Sequence, residues 1–261
     1  MTLVQGSDYA RLLRAARPLI THLFGVFFCG NSFSIAHFDY SGIHISPQFF
    51  ILPNDSTGLH QLIRVFLRMT MEMSPYELGC DPTCFLEPST QTYYQAQFPS
   101  FAVTMRGPGV PGSEKPNTAG TVRTVGKPLF SSHSFLGRGT SVWLAFNEDT
   151  HEPTILKNSW RTPDRDSEIT IYQKIRERIG DEQVRGLATV TGGGDVYFKG
   201  EPLSIATVRD SPALLDPTET NRVLHRVTLS QVGKPLYDYT CLEELGIALL
   251  DALHGMPMVH S

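Results

Sequence analysis

The segment Ser134–Trp160, "SFLGRGTSVWLAFNEDTHEPTILKNSW", decides the fold that the sequence predicts. It joins a turn bracketed by Gly137 and Gly139 to an alternating strand pattern that includes Val142, and a second apolar strand ends at Lys157. Glycines let the backbone approach a ligand closely and point amides toward it, which suits phosphate oxygens. An ordinary hairpin turn is the alternative interpretation, because two spaced glycines are common.

A hairpin would bring the ammonium group of Lys157 beneath the glycine turn, where a lysine can hold phosphates as a point charge. The next helix is predicted over Pro163–Ile179, with Thr162 as its cap and Gly180 at its end. Glu168 lies on the apolar stripe of this helix, and an inward carboxylate needs a cationic partner, for which Lys157 is the nearest candidate. The alternative is a glutamate that complements the helix dipole.

The N-terminal part reads as a sheet with helices. A short helix is predicted at Tyr9–Ala16, and strand patterns follow at Leu23–Cys29, Ser32–Phe38 and Ile43–Ser46, separated by turn residues. These strands predict an antiparallel meander. Apolar residues at helical spacing from Leu59 to Glu72 then predict an amphipathic helix that lies on the meander.

A stretch rich in glycine and proline, "GPGVPGSEKPNTAG" at 107–120, resists both helix and strand. It predicts a linker at 106–120 between an N-terminal α+β region at 1–105 and a second unit at 121–261. The triplet Gly192–Gly194 is interpreted as a flexible hairpin turn, because no helix start or lysine follows it.

Composition limits the classes of function. A net charge of −4 over 261 residues gives no long-range attraction to nucleic acid or anionic membrane, so neither is a predicted partner. The apolar run Leu19–Cys29 is too short to span a bilayer. Four irregularly spaced cysteines favour a reducing, intracellular compartment, either cytoplasmic or nuclear. Cys80 and Cys84 are not accompanied by further ligands at zinc-binding spacing, so no metal site is predicted.

These motifs together resemble the fungal-type protein kinase domain family. The matching segments are "GRGTSVW" (137–143), "TILKNSW" (154–160), "RDSE" (165–168), "GKPLYDYTCLEELGIALLDALHG" (233–255), "FDYSGIHIS" (38–46) and "ELGCDPT" (77–83). Two positions depart from the family pattern: Tyr40 replaces the usual arginine, and Val142 takes the position of the third glycine, unless the loop is two residues shorter.

The resemblance implies an α+β fold: an N-terminal β-meander with helices, then a protein-kinase-like N-lobe, a hinge and the first helix of the C-lobe. The N-lobe would be an antiparallel sheet with one αC-like helix. The hinge would be the strand "HRVTL" (225–229) followed by "SQVG" (230–233), whose backbone meets adenine. A capping box at Thr240–Glu243 would open the last helix.

The resemblance also assigns roles to site residues. Lys157 would touch the phosphates of ATP, and Glu168 would orient Lys157. The residues implied for cofactor binding are Gly137, Arg138, Gly139, Val142 and Lys157.

Phosphoryl transfer needs more than this lobe. A kinase uses an aspartate near the substrate hydroxyl, and an asparagine and a second aspartate that hold Mg²⁺. The sequence contains neither a His-Arg-Asp nor an Asp-Phe-Gly motif. We therefore expect an incomplete family member that ends before the catalytic loop, with weak or vestigial ATP binding and Mg²⁺ only in a complete member. The parent activity would be phosphorylation of protein Ser/Thr. The alternative is a noncatalytic module for an unknown protein partner, or a nonfunctional truncated gene product.

Overall fold

A computed structural model describes residues 3–87, 98–106, 118–132, 134, 136–179, 187–209, 219–233 and 236–255. It shows mixed helices and antiparallel sheets, so the α+β class predicted from the sequence is confirmed. Among these residues, no helix has both the length and the apolar composition to cross a membrane.

The helices within the described residues are α1 (Leu3–Ala16), α2 (Thr57–Leu67), α3 (Glu168–Ile179), α4 (Ile205–Val208) and α5 (Leu242–Gly255). The strands are β1 (Leu23–Cys29), β2 (Ser32–Phe38), β3 (Ile43–Ile45), β4 (Phe49–Phe50), β5 (Cys84–Leu86), β6 (Phe101–Arg106), β7 (Thr118–Thr124), β8 (Phe130–Ser131), β9 (Ser141–Asn147), β10 (Pro153–Arg161), β11 (Val190–Asp195), β12 (Tyr197–Phe198), β13 (Glu201–Pro202) and β14 (Val223–Leu229).

The predicted N-terminal meander is present: β2 pairs antiparallel with both β1 and β3, and β4 pairs with the other end of β2. Cys29 pairs with Ser32, so a two-residue turn joins β1 to β2, and Gly30 there has φ +59°. Ala10 of α1 packs in one core with Leu23 and Ala36 of these strands. The helix α1 is longer at its start than the prediction at Tyr9–Ala16.

The expectation that the second helix buries its apolar stripe on the meander is wrong. Leu59, Ile63 and Phe66 of α2 are each 45–47% exposed. The first turn makes a close contact with the sheet: Gly58 is buried, and a Cβ added to Gly58 would lie 1.8 Å from the carbonyl oxygen of Phe50. The helix therefore contacts the small sheet at its first turn, and much of its apolar face is exposed.

The larger sheet has the strand order β11-β14-β10-β9-β7-β6-β5, with β8 also paired to β9, and every pairing is antiparallel. The strands β8, β9, β10, β14 and β11, with α3 between β10 and β11 in the chain, match the sheet and single helix of a protein-kinase-like N-lobe. Trp143 and Leu156 are fully buried on one face of this sheet.

The boundary predicted at 106–120 does not coincide with the edge of a sheet. β6 ends at Arg106 and β7 begins at Thr118, so both strands overlap the ends of the predicted linker. They pair with each other, and β7 also pairs with β9. Val103 and Val122 of these strands pack in one core with Trp143. Residues 107–117 lie outside the described residues, and the division into two units stays a prediction.

Two arginines tie the N-terminal part of the chain to the larger sheet. Arg226 of β14, which is 2% exposed, donates to the carboxylate of Asp81 over 2.6 Å. Arg209 donates to Asp39 over 2.7 Å and to Glu219 over 2.6 Å. Because a buried charge is costly without a partner, these pairs fix how the two parts meet.

Two local predictions are corrected. Gly192–Gly194 lie within the strand β11, not in a hairpin turn. A Cβ on Gly193 would lie 2.1 Å from the carbonyl oxygen of Arg226, so close approach of the neighbouring strand is what requires glycine there. Before α5, the main-chain N–H and the hydroxyl of Thr240 both donate to Glu244 over 2.8 Å, one position after the predicted partner.

Candidate functional site

Lys157 lies in the middle of β10, directly opposite Val142 of β9 and Val227 of β14. Cross-strand partners point to the same face of a sheet, so these three side chains share one face. The Nζ atom of Lys157 lies 2.7 Å and 2.9 Å from the two carboxylate oxygens of Glu168. The side chains are 28% and 20% exposed, so the predicted ion pair is present and solvent can reach it.

The helix that carries Glu168 begins later than the sequence predicted. The structure places Glu168 in its first turn. The hydroxyl of Ser167 accepts a hydrogen bond from the main-chain N–H of Thr170 over 3.1 Å, so Ser167 caps the helix in place of Thr162. The carboxylate of Glu168 therefore gains both the helix dipole and the ammonium of Lys157, and the two interpretations of this residue are compatible.

Arg161 explains why the chain turns before it becomes helical. Its NH1 atom donates to the carbonyl oxygens of Thr162 over 3.2 Å and of Arg165 over 3.0 Å. Its Nε and NH2 atoms donate to Asp195 over 2.8 Å and 2.6 Å. This network holds the turn that sets the position of Glu168, and spacing along the sequence gave no signal for it.

Asp195 also contacts His225, whose Nδ1 lies 2.8 Å from a carboxylate oxygen. Burial alone would raise the pKa of Asp195, but the hydrogen bonds from His225 and Arg161 outweigh burial and lower the pKa to about 2. Asp195 is therefore charged at neutral pH, and its ion pair with Arg161 is maintained there.

The glycine turn connects β8 to β9, which pair antiparallel, so its predicted place between two antiparallel strands is confirmed. Gly137 and Gly139 have φ values of +105° and +48°. The carbonyl oxygen of Arg138 accepts from the main-chain N–H of Trp160 over 2.7 Å. The turn is thus hydrogen-bonded to β10 at Trp160, three residues after Lys157. Val142 is the predicted cofactor residue that lies directly opposite Lys157.

Tyr40 is the residue of this region that sequence reasoning missed. Its carbonyl oxygen accepts from the N–H of Gly137 over 2.9 Å. A Cβ on Gly139 would lie 2.0 Å from the Tyr40 ring, so the second glycine is needed for packing. The only signal in the sequence was the departure from the family pattern at this position. In this arrangement the amide of Gly137 is already engaged and would have to release Tyr40 to meet a phosphate.

The sheet face that carries Lys157 offers a cation and hydrogen-bond donors to a ligand. Lys157 can meet phosphate oxygens, and Glu168 can orient it. Within the described part of the chain, no group of three or more His, Cys, Asp or Glu residues could hold a metal ion.

Cys84 accepts a hydrogen bond from Arg226 over 3.4 Å, and burial raises the pKa of its thiol, as expected for a packed cysteine.

A family model described as fungal protein kinase matches residues 2–260, nearly the whole chain. No curated protein and no solved structure matches the sequence.

Proposed function

The chain belongs to the fungal protein kinase family, and on this premise we propose that it binds ATP weakly on the face of the sheet that carries Lys157. The observation that carries the proposal is the ion pair of Lys157 with Glu168, at 2.7 Å. A strand lysine held by a helix glutamate is the arrangement with which protein kinases position nucleotide phosphates.

Each element around the pair has a role in this proposal. Lys157 contacts the phosphates, and Glu168 keeps the ammonium in place. The turn at Gly137–Gly139 covers the phosphates once the amide of Gly137 is released from Tyr40. Val142 supplies an apolar contact beside Lys157.

The adenine would meet the backbone after β14, in the second part of the predicted hinge, at 230–233. The main-chain N–H of Ser230 already donates to Thr189 over 3.0 Å, so the free backbone groups available to a base come after this residue. Residues 234–235 lie outside the described residues.

Phosphoryl transfer to protein Ser/Thr needs more than a nucleotide site. It requires an aspartate at the substrate hydroxyl and residues that hold Mg²⁺. The 261 residues contain no His-Arg-Asp or Asp-Phe-Gly motif, so the proposal for this chain is nucleotide binding.

A titration with a fluorescent ATP analogue tests the proposal on the wild type, Lys157→Ala and Glu168→Gln. Loss of a charge-assisted contact to phosphate predicts affinity about tenfold weaker for Lys157→Ala. The matched control is Lys174→Ala, which removes an exposed lysine of α3, the helix that carries Glu168. Lys174 pairs with Asp166 there, and the variant should bind as the wild type does. Equal, negligible binding by the wild type and Lys157→Ala would remove the nucleotide site.

A second candidate function is a noncatalytic interaction module, and the exposed apolar faces of two helices favour it. Besides α2, the helix α5 leaves Ile247, Leu250 and Leu253 about half exposed or more. Exposed patches of this kind mark interaction surfaces. Failure to bind the nucleotide analogue, together with a stable fold, would favour this function.

A further inference from the structure

Three arginines belong to separate segments whose backbones lie close to the end of β10. Arg138 belongs to the glycine turn, and its carbonyl oxygen is bonded to the N–H of Trp160 over 2.7 Å. Arg165 belongs to the turn before α3, and its carbonyl oxygen is bonded to the guanidinium of Arg161 over 3.0 Å. Both segments are thus fixed to consecutive residues of one strand.

Arg222 is the third member. It precedes Val223, which pairs with Arg161 across the sheet. Its own carbonyl oxygen accepts from the N–H of Ile205 over 2.9 Å, so the backbone on this side is held as well. The glycine turn, the turn before α3 and the start of β14 therefore present one arginine each to the same end of the sheet.

The charges of Arg138 and Arg165 act on Arg222. The pKa of Arg222 lies below its ordinary value because of burial and then because of the positive charges of Arg138 and Arg165. The Nε atom of Arg222 is buried and has no hydrogen-bond partner among the residues that the structure describes. A buried donor without a partner and repulsion between like charges both cost free energy, and an anion bound among the three guanidinium groups would offset the repulsion.

The carboxylates nearby do not supply that anion. Asp195 is held by Arg161, and Asp166 by Lys174. Asp164, in the same turn as Arg165, is exposed and forms no ion pair with any of the three arginines in the described part of the chain.

We propose that Arg138, Arg165 and Arg222 form a binding site for a phosphoryl dianion. Guanidinium groups match phosphate oxygens with paired hydrogen bonds, and each is always charged. A dianion bound there joins the glycine turn to the turn that positions Glu168. The site does not include Lys157 and does not require that the chain bind nucleotide there.

The phosphoryl group can come from a phosphorylated side chain or from the terminal phosphate of a nucleotide. Calorimetric titrations at constant ionic strength separate these sources, with inorganic phosphate, O-phosphoserine, ATP and AMP as probes. Binding of phosphate and phosphoserine identifies a phosphorylated side chain as the fitting source. The nucleotide is identified as the source by two results together. Lys157→Ala binds ATP more tightly than AMP, and the double variant of Lys157→Ala with Arg222→Gln does not bind ATP.

The variants that test the site are Arg222→Gln and Arg165→Gln, with Arg176→Gln as the matched control on the exposed end of α3. We expect phosphate affinity to fall on the order of tenfold in each of the first two and to stay unchanged in the control. Arg222→Lys, which keeps the charge, should retain part of the affinity. Thermal melts in chloride establish that each variant is folded.

Three results would overturn the proposal. The wild type does not bind any of the phosphoryl probes; Arg176→Gln loses as much affinity as Arg222→Gln; or Lys157→Ala alone abolishes phosphate binding, which would place the anion at the nucleotide face. Because Lys157→Ala is expected to keep phosphate binding while its affinity for the ATP analogue falls about tenfold, failure of this site and failure of the proposed function give different results.

Discussion

The ring of Tyr40 stacks on the indole of Trp160, with the centroids 5.0 Å apart and the planes 23° from parallel. The guanidinium of Arg14 lies 4.1 Å from the centroid of the same tyrosine ring. Tyr40 follows β2, and Trp160 lies in β10, so this contact joins the N-terminal sheet to the larger sheet beside the glycine turn. The turn proposed to cover a nucleotide is therefore built on a residue from the N-terminal part.

Removal of the Tyr40 ring should destabilise the whole chain. For Tyr40→Ala we expect a loss of roughly 3–5 kcal/mol in the free energy of unfolding, the usual cost of truncating a buried aromatic residue. Tyr40→Phe keeps both ring contacts and loses the 3.3 Å hydrogen bond to the carbonyl of Ile20, which costs about 1 kcal/mol. Urea denaturation measures both, and equal losses would show that the stacking contributes nothing.

Gly139→Ala should lower the free energy of unfolding, and Gly126→Ala separates the backbone part of this loss from the packing part. Gly139 and Gly126 both have positive φ, +48° and +66°, but nothing lies within 4 Å of a Cβ at Gly126. Gly126→Ala should cost about 1–2 kcal/mol from the backbone alone. Gly139→Ala should cost about 1–3 kcal/mol more, because its Cβ overlaps the Tyr40 ring.

The double variant with Tyr40→Ala checks the cause. If the ring is what Gly139→Ala meets, the extra cost disappears when the ring is removed, and the two changes are not additive. Additive losses would assign the cost to the backbone.

Features that depend on neighbouring residues along the chain were predictable. The bounds of β1 and β2 followed from their alternation and from the turn at Gly30. The ion pair of Lys157 with Glu168 followed because a hairpin and one helix bring the two residues together over a short stretch. Local periodicity and turn chemistry are sufficient for such features.

Features that depend on a distant segment were not predictable. Gly193 was predicted as a turn residue, because the sequence does not show that β14 lies beside it. Arg161 is the last residue of a strand, and its sequence position does not show that it forms an ion pair with Asp195. The apolar stripe of α2 predicted burial, but periodicity gives the face of a helix and not the presence of a surface to cover it.

The buried pair of Arg226 with Asp81 should be more important for stability than an exposed pair of the same chemistry. Both side chains are 3% exposed or less. Arg226→Met leaves a buried carboxylate unpaired, and we expect a loss of about 3–5 kcal/mol in the free energy of unfolding. The control is Arg123→Met, whose pairing with Glu148 involves a side chain 42% exposed and should be worth about 1 kcal/mol or less. Chemical denaturation of both variants decides the matter, and similar losses would contradict it.

Acid should weaken the fold through His37, whose ring lies 4.9 Å from that of His22. Burial and then the neighbouring His22 lower the pKa of His37 to about 4, although Asp39 acts in the opposite direction. The unfolded chain takes up this proton near pH 6.5, before the folded chain does, so stability falls as the pH drops from about 6.5 to about 4.

The full effect over that window is roughly 3 kcal/mol, at 1.36 kcal/mol for each pH unit that separates the two pKa values. His37→Phe keeps a ring in contact with Phe24 and cannot titrate, so its free energy of unfolding should vary less with pH, leaving the contribution of His22, whose pKa burial also lowers. His60→Gln, at an exposed position, should keep the wild-type profile. Denaturation measured at pH 7, 5.5 and 4 tests this, and a wild-type slope in His37→Phe would show that His37 is not the group responsible.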